Sequence, residues 1–158
     1  MATTDTAEHQ ISALNDLIKI NHDRVVGYQK GLEGTQDADL KALFSGYIAQ
    51  SQKNTTQLET LVSTLGGTPT DATTTAGKFY HAWMDVKSAF TGKDRHSILA
   101  DCEYGEDVAK KAYKEALGDA DLNWNTEISN TIISQNEGIQ SAHNEVKALR
   151  DAAGSVKS

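Results

Sequence analysis

The chain has little of what interrupts or cross-links a helical protein. Its 158 residues include one proline, Pro69, and one cysteine, Cys102. Proline breaks helix interiors, so its scarcity favours helices. A single cysteine excludes an intrachain disulfide. The formal charge of −7 and the scattering of basic residues among acidic ones argue against nucleic acid as a partner, since phosphate binding needs a concentrated basic face.

Long apolar runs are also missing. No stretch approaches the ~18 apolar residues that a membrane span requires, which predicts a protein with no membrane partner. The opening "MATTDTAEHQ" has neither the basic start nor the apolar centre of a signal peptide. With 38% apolar residues, residues 1–158 are expected to form one soluble, cytoplasmic domain around a single core.

Four segments carry apolar residues at the three–four spacing of a helix packed in a bundle. The first is predicted from a cap at Asp5 to Gly34, and the second ends at Gly66–Gly67. Asp94 is the predicted cap of the third, which ends at Gly118, and Asp121 is the predicted cap of the fourth. The pattern indicates an all-α protein.

The connections predict the topology. Short links join the first helix to the second and the third to the fourth, so each pair forms an antiparallel hairpin. A long crossover, Gly66 to Lys93, contains the loop "TPTDATTTAG" and a predicted short amphipathic helix, "KFYHAWMDVKSAF". Such a crossover lets the second and third helices run parallel. Two hairpins joined in this way make a ferritin-like four-helix bundle.

Ferritin-like iron sites use a Glu from each of two helices and Glu-x-x-His from each of the other two. Here the core-facing positions in the middle of the predicted helices are polar but neutral. The second helix has no histidine, and the fourth has Gln140-x-x-His143 in place of Glu-x-x-His. The neutral residues are Asn21, Gln50, Ser51, Asn54 and Gln135.

Buried amides need partners, because an unpaired one costs about 1–3 kcal/mol. We therefore expect the amides to hydrogen-bond one another across the bundle. One interpretation is that they fix the register of the helices, as a buried Asn does in coiled coils. The alternatives are that they are the remains of a metal centre or that they line a small polar cavity. Neutral amides are poor iron ligands, so a bundle without the standard di-iron centre is expected, with no cofactor.

Some residues nevertheless have the chemistry of metal ligands. Glu103 and Glu106 lie one turn apart on the third helix, with Glu137 opposite on the fourth, and they can serve a partial site or be boundary residues. Hairpin geometry predicts His96 beside His143, with His81 of the crossover near the same end. Three converging histidines can bind zinc or form a pH-sensitive contact, although such residues also cap and pack helices.

Several stretches resemble a bacterial family of ferritin-like four-helix-bundle proteins of unknown function. They are "NDLIKINHDRVVGYQKG", "DADLKALFSGYIAQSQKNTTQLETLVSTLGG", "FYHAWMDVKSAFTGKDRHSILADCEYGEDVAKKAYKEAL" and "AHNEVKALRD". The most specific features are His81-x-Trp83, "KSAFTGKD" and "EYGED". The resemblance implies a ferritin-like fold, and it implies that the candidate site residues are His81, Trp83, Glu103, Glu106 and His143. Trp83 is also of the type that anchors a helix by packing in the core, here the crossover helix. Arg24 and Val26 stand near the positions where the family has acids.

No catalytic nucleophile, paired catalytic acid or phosphate-binding loop stands out, and Cys102 on an apolar face is expected to be buried and inert. The first functional hypothesis is a non-catalytic bundle that acts through assembly, as a homo-oligomer, or through contacts with a protein partner. The family analogy adds an association with stress. The alternative is a protein that binds iron, manganese or zinc at Glu103, Glu106, His143 and His81. A third hypothesis is a small-molecule carrier with an amide-lined core.

Overall fold

Four long helices account for most of the residues that the structure describes. The computed structural model describes residues 2–72 and 94–156. The helices are α1 (Ala2–Gly34), α2 (Ala38–Thr64), α3 (Arg95–Gly118) and α4 (Thr126–Val156), with a short 3-10 turn at Ala120–Leu122 between α3 and α4. The all-α prediction is confirmed for the described ranges. None of the helices described is both long and apolar enough to cross a membrane.

Contacts between helix ends define the topology. Arg95 at the start of α3 pairs with Asp37 and Asp39 at the start of α2, at 3.1 and 2.7 Å. These two helices therefore begin at the same end of the bundle and run parallel. At the other end, the Gln10 side chain of α1 donates to the carbonyl of Leu122 at 2.7 Å, just after α3. Antiparallel hairpins α1–α2 and α3–α4 are thus joined by a long crossover, which confirms the ferritin-like prediction.

The predicted short helix in that crossover, with His81 and Trp83, lies outside the described residues. The end of α2 is described and follows the predicted glycine stop. Gly66 has φ of +88°, which a residue without Cβ adopts without strain. The amide of Gly67 donates to Val62 O and that of Gly66 to Ser63 O, the paired bonds of a Schellman motif.

The predicted helix starts differ in accuracy. Asp94 caps α3 as predicted, because its side chain accepts from Ser97 N at 2.9 Å. The prediction for α4 was wrong. Asp121 lies in the 3-10 turn, and Asn125 supplies the cap by accepting from Ile128 N at 2.8 Å. Helix α1 begins at Ala2, before the predicted cap at Asp5.

The apolar stripes of all four helices meet in one core. On α1 the fully buried stripe includes Leu14, Ile18 and Tyr28. The Tyr28 ring packs on Phe44 of α2, with the ring centroids 5.3 Å apart. Five polar side chains in the same interior are less than 1% exposed, and they define the middle of the bundle: Asn21, Asp23, Arg24, Ser51 and Glu106.

Candidate functional site

An amide layer links all four helices at mid-bundle. Asn21 of α1 accepts from Asn54 of α2 at 3.2 Å and donates to the Tyr113 hydroxyl of α3 at 2.9 Å. That hydroxyl donates to Gln135 of α4 at 2.7 Å, and the Gln135 amide donates to Gln57 at 2.9 Å. The expected hydrogen bonding is confirmed for Asn21, Asn54 and Gln135, but not for Gln50. The Tyr113 hydroxyl bridges Asn21 and Gln135.

Gln50 does not belong to this layer. Its Oε1 is buried and has no hydrogen-bond partner among the described residues. Its Nε2 lies so close to Gly138 of α4 that a Cβ built there would be 2.9 Å away. Gln50 therefore packs where α4 offers no side chain, and its amide does not take part in the cross-bundle bonds made by the other three.

A fully buried ion pair lies beside the amide layer. Arg24 of α1 donates to both carboxylate oxygens of Glu106 on α3, Nε to Oε1 at 2.9 Å and Nη2 to Oε2 at 2.7 Å. Its Nη1 donates to Ser51 Oγ of α2 at 2.6 Å, and the Tyr28 hydroxyl donates to Glu106 Oε2. Both charged side chains are 0% exposed. Bidentate geometry with extra donors is what makes a buried pair tolerable, because each remaining polar atom is satisfied.

The electrostatics of the interior follow from burial and from the Glu106 carboxylate. Burial opposes the charge on Arg24, yet the adjacent carboxylate raises the pKa of the guanidinium above its ordinary value. Burial, and then the negative charge of Glu106, raise the pKa of Tyr28 well above its ordinary value. The pKa of the Cys102 thiol is raised for the same two reasons. Tyr28 and Cys102 therefore stay neutral, and Cys102 is buried as predicted.

The predicted ligand residues fall into two places. The structure brings Glu103 and His143 together at the α3–α4 boundary, with His143 Nε2 3.5 Å from Glu103 Oε2. Glu106 lies in the interior on Arg24, as described above. Glu137 is exposed. His81 lies outside the described residues.

The predicted meeting of His96 with His143 was wrong. His96 packs on Gly154, where a Cβ would be 3.0 Å from its ring. In an antiparallel hairpin, residues pair symmetrically about the turn, so the first turn of α3 meets the last turns of α4. His143 lies nearer the turn and pairs with residues further along α3.

Asp107 is the member of the boundary cluster that sequence reasoning missed. Its Oδ1 is 2.8 Å from His143 Nε2. The available signal was its position four residues after Glu103, which places both carboxylates on one helix face. Donor atoms of Glu103, Asp107 and His143 all lie within 4.8 Å of one another. We call these three residues the boundary cluster.

The boundary cluster is held by neighbouring side chains. Arg150 of α4 pairs with Glu103 Oε1, while Oε2 of the same carboxylate faces His143. The other ring nitrogen of His143, Nδ1, is 3.3 Å from Asn144 Oδ1. The side chains of His143 and Glu103 are 10% and 13% exposed, whereas that of Asp107 is 54% exposed. The cluster is therefore largely buried at Glu103 and His143 and open to solvent at Asp107.

The interior does not fit a di-iron centre. Such a centre needs carboxylates from all four helices and two histidines. At this level α1 contributes a guanidinium, α2 a hydroxyl and an amide, and α4 the amide of Gln135, while Glu106 of α3 already bonds Arg24 and Tyr28. Asp23 of α1 is the other buried carboxylate, and with Arg24 beside it the described interior lacks the four carboxylates and two histidines of a di-iron centre.

Comparisons with known proteins agree with this architecture. A solved structure described as ferritin like, diiron-carboxylate proteins from Bacillus anthracis str. Ames superposes with a TM-score of 0.64 at 17% sequence identity, over 93% of this chain and 96% of that chain. At that identity the likeness concerns the fold. No curated protein matches the chain. The family model described as "Domain of unknown function (DUF2383)" matches residues 9–119, more than half of the chain. The chain therefore belongs to the DUF2383 family.

Proposed function

We propose that this protein is a non-catalytic ferritin-like bundle that acts through assembly or through contacts with other proteins. One observation carries the proposal: the Arg24–Glu106 ion pair fills the part of the interior where a ferritin-like protein holds its metal ions. The protein keeps the scaffold and has a built-in cation in the middle of it.

The ion pair opposes di-iron chemistry energetically as well as by its composition. A metal ion that bound Glu106 would have to displace the guanidinium of Arg24, which is 0% exposed and has no other carboxylate as a hydrogen-bond partner within residues 2–72 and 94–156. Leaving one member of a buried pair uncompensated costs about 3–5 kcal/mol. The amide layer adds a second barrier, because its bonds already use the polar atoms that face one another.

What remains for such a scaffold is recognition of other molecules by its surface, either of further copies of itself or of a partner protein. An association with stress is the finer part of the proposal, and it rests on the family resemblance. A rise in the amount of the protein when cells are stressed supports that part, and a constant amount contradicts it.

An alternative, a metal-binding protein with a non-standard site, is favoured by a different observation. Glu103 and His143, both predicted as ligands, lie together in the boundary cluster with Asp107. This alternative does not involve the interior, so iron-oxidising chemistry of the ferritin type does not follow from it.

The experiment that tests the leading proposal combines two measurements on the untagged chain. Oxygen consumption after addition of iron(II) is expected to equal that of a buffer blank, and faster consumption overturns the non-catalytic part. Sedimentation velocity after treatment with chelator is expected to show an oligomer. A monomer by sedimentation, together with no partner captured by cross-linking in cells, overturns the part that concerns assembly and protein contacts.

A further inference from the structure

The boundary cluster has the donors and the geometry of a site for one metal ion. We propose that Glu103, Asp107 and His143 bind a single divalent transition-metal ion, with zinc as the preferred ion. This site is separate from the interior and uses Asp107 in place of the predicted Glu106. This metal site goes beyond the proposed function, because a bundle that acts through assembly or protein contacts does not require a bound metal ion.

Helix geometry brings the three donors together. Glu103 and Asp107 are four residues apart on α3, so their carboxylates point to the same side, and His143 faces them from α4. Zinc binds imidazole nitrogen and carboxylate oxygen at about 2.0–2.2 Å, so two ligands of one ion lie no more than roughly 4.4 Å apart. The present spacing, within 4.8 Å, needs only a small closure. The side chain of Asp107, 54% exposed, is free of the packing that would prevent it.

The imidazole of His143 is placed to bind a cation through Nε2. Both ring nitrogens of His143 face oxygen atoms: Nδ1 faces Asn144 Oδ1 at 3.3 Å, and Nε2 faces the carboxylates of Asp107 and Glu103. A neutral imidazole has only one N–H, so it donates on one side and presents a lone pair on the other. If Nδ1 donates to Asn144, as the second nitrogen of a ligating histidine usually donates to an oxygen, a metal ion on Nε2 satisfies the lone pair and both carboxylates. The alternative is the other tautomer, in which Nε2 carries the N–H and donates to the carboxylates.

Arg150 positions the cluster rather than filling it. Its guanidinium binds Glu103 Oε1 and Asp151, at 2.8 Å for the latter. The other oxygen of Glu103, Oε2, is the one that faces His143 Nε2. An outer partner of this kind holds a ligating carboxylate in orientation.

The ligand set also points to the kind of ion. One imidazole and two carboxylates suit a borderline metal such as zinc, iron(II) or manganese(II), and affinities in a given site rise from manganese to zinc. The exposed side at Asp107 leaves room for water as a further ligand. An ion held there would join α3 to α4 near the middle of their hairpin.

Isothermal titration of the untagged, chelator-stripped chain with zinc chloride, and separately with manganese chloride, tests the proposal. We expect one zinc ion per chain and weaker binding of manganese. Asp107→Asn and His143→Gln are expected to weaken zinc binding by at least about 10-fold, the loss seen even when an outer partner is removed. Glu115→Gln, which removes an exposed carboxylate elsewhere on α3, is the matched control and should leave the affinity unchanged.

Two results overturn the site. One is no zinc binding by the wild-type chain. The other is an equal zinc affinity in the wild type, Asp107→Asn and His143→Gln. His143 is largely buried, so circular dichroism must show that its variant folds. Asp107 is exposed enough that Asp107→Asn keeps the test decisive if His143→Gln does not fold.

Discussion

Two glutamates three residues apart on α3 have opposite surroundings. Glu106 is 0% exposed and is bound by Arg24 and Tyr28, whereas Glu103 lies at the boundary beside His143, Asp107 and Arg150. In the interior, the carboxylate of Glu106 faces a fixed guanidinium, and both side chains are 0% exposed. The boundary cluster has a solvent-open side at which a cation can enter. The comparison teaches that residue type and spacing do not identify a ligand, because the neighbouring helix decides what each carboxylate meets.

The largest expected effect is the difference in stability between variants of these two glutamates. Glu106→Leu leaves the Arg24 charge uncompensated in the core and is expected to lower the free energy of unfolding by about 3–5 kcal/mol. Glu103→Leu, whose partner Arg150 is 26% exposed, should cost less, about 1 kcal/mol. Urea unfolding followed by circular dichroism measures both.

A double variant sharpens this prediction. Arg24→Met combined with Glu106→Leu removes both charges, and replacing a buried pair with apolar side chains is often neutral. The double variant should therefore be more stable than Glu106→Leu alone. Equal losses in Glu103→Leu and Glu106→Leu would contradict the contrast between the two regions.

The amide layer gives the next effect in size. Tyr113→Phe removes the hydroxyl that accepts from Asn21 and donates to Gln135, leaving buried amide atoms unpaired, which costs about 1–3 kcal/mol. Tyr104→Phe on the same helix is the matched control, because Tyr104 is 59% exposed. Thermal unfolding of the two variants measures the difference. A Tyr113→Phe variant as stable as Tyr104→Phe would show that the layer does not hold the helices together.

The smallest effect concerns an exposed pair at the bundle end where α2 and α3 begin. The hydrogen bond from Arg95 holds the pKa of Asp39 below its ordinary value of 3.8. Because the folded pKa is depressed, the stabilisation is complete above the ordinary value and is lost as the pH falls through the folded pKa. Arg95→Gln should remove this part, so that stability falls slightly above the ordinary value and is nearly unchanged at lower pH, where Asp39 is protonated.

The check is urea unfolding across the acid range. Asp39→Asn should flatten the pH dependence as Arg95→Gln does, and the double variant should add no further change. An unaltered acid dependence in both single variants would mean that the pair does not contribute to joining the starts of α2 and α3.

Much of the fold followed from local patterns. The three–four spacing of residues such as Leu14 and Ile18 predicted the helices, and the length of the crossover predicted their order, because both are properties of the chain itself. The hydrogen bonding of Asn21, Asn54 and Gln135 was also predictable, since buried amides need partners.

The candidate sites were less predictable because they depend on how the helices pair. Arg24 was recognised only as a departure from the family's acids, and its bond to Glu106 required knowing that α1 and α3 meet at those turns. Asp107 joins His143 because of the register of the α3–α4 hairpin. That register also depends on the 3-10 turn, which moved the start of α4 from the predicted Asp121 cap to Asn125.

The central claim is that the interior of this ferritin-like bundle is closed to metal by its own ion pair. Its most direct test is anaerobic titration of iron(II) into the untagged wild type and His143→Gln, with bound iron counted by mass spectrometry after desalting. The account predicts no more than one iron per chain in the wild type and none in His143→Gln. Two irons per chain that persist in His143→Gln and disappear in Glu106→Gln would contradict it.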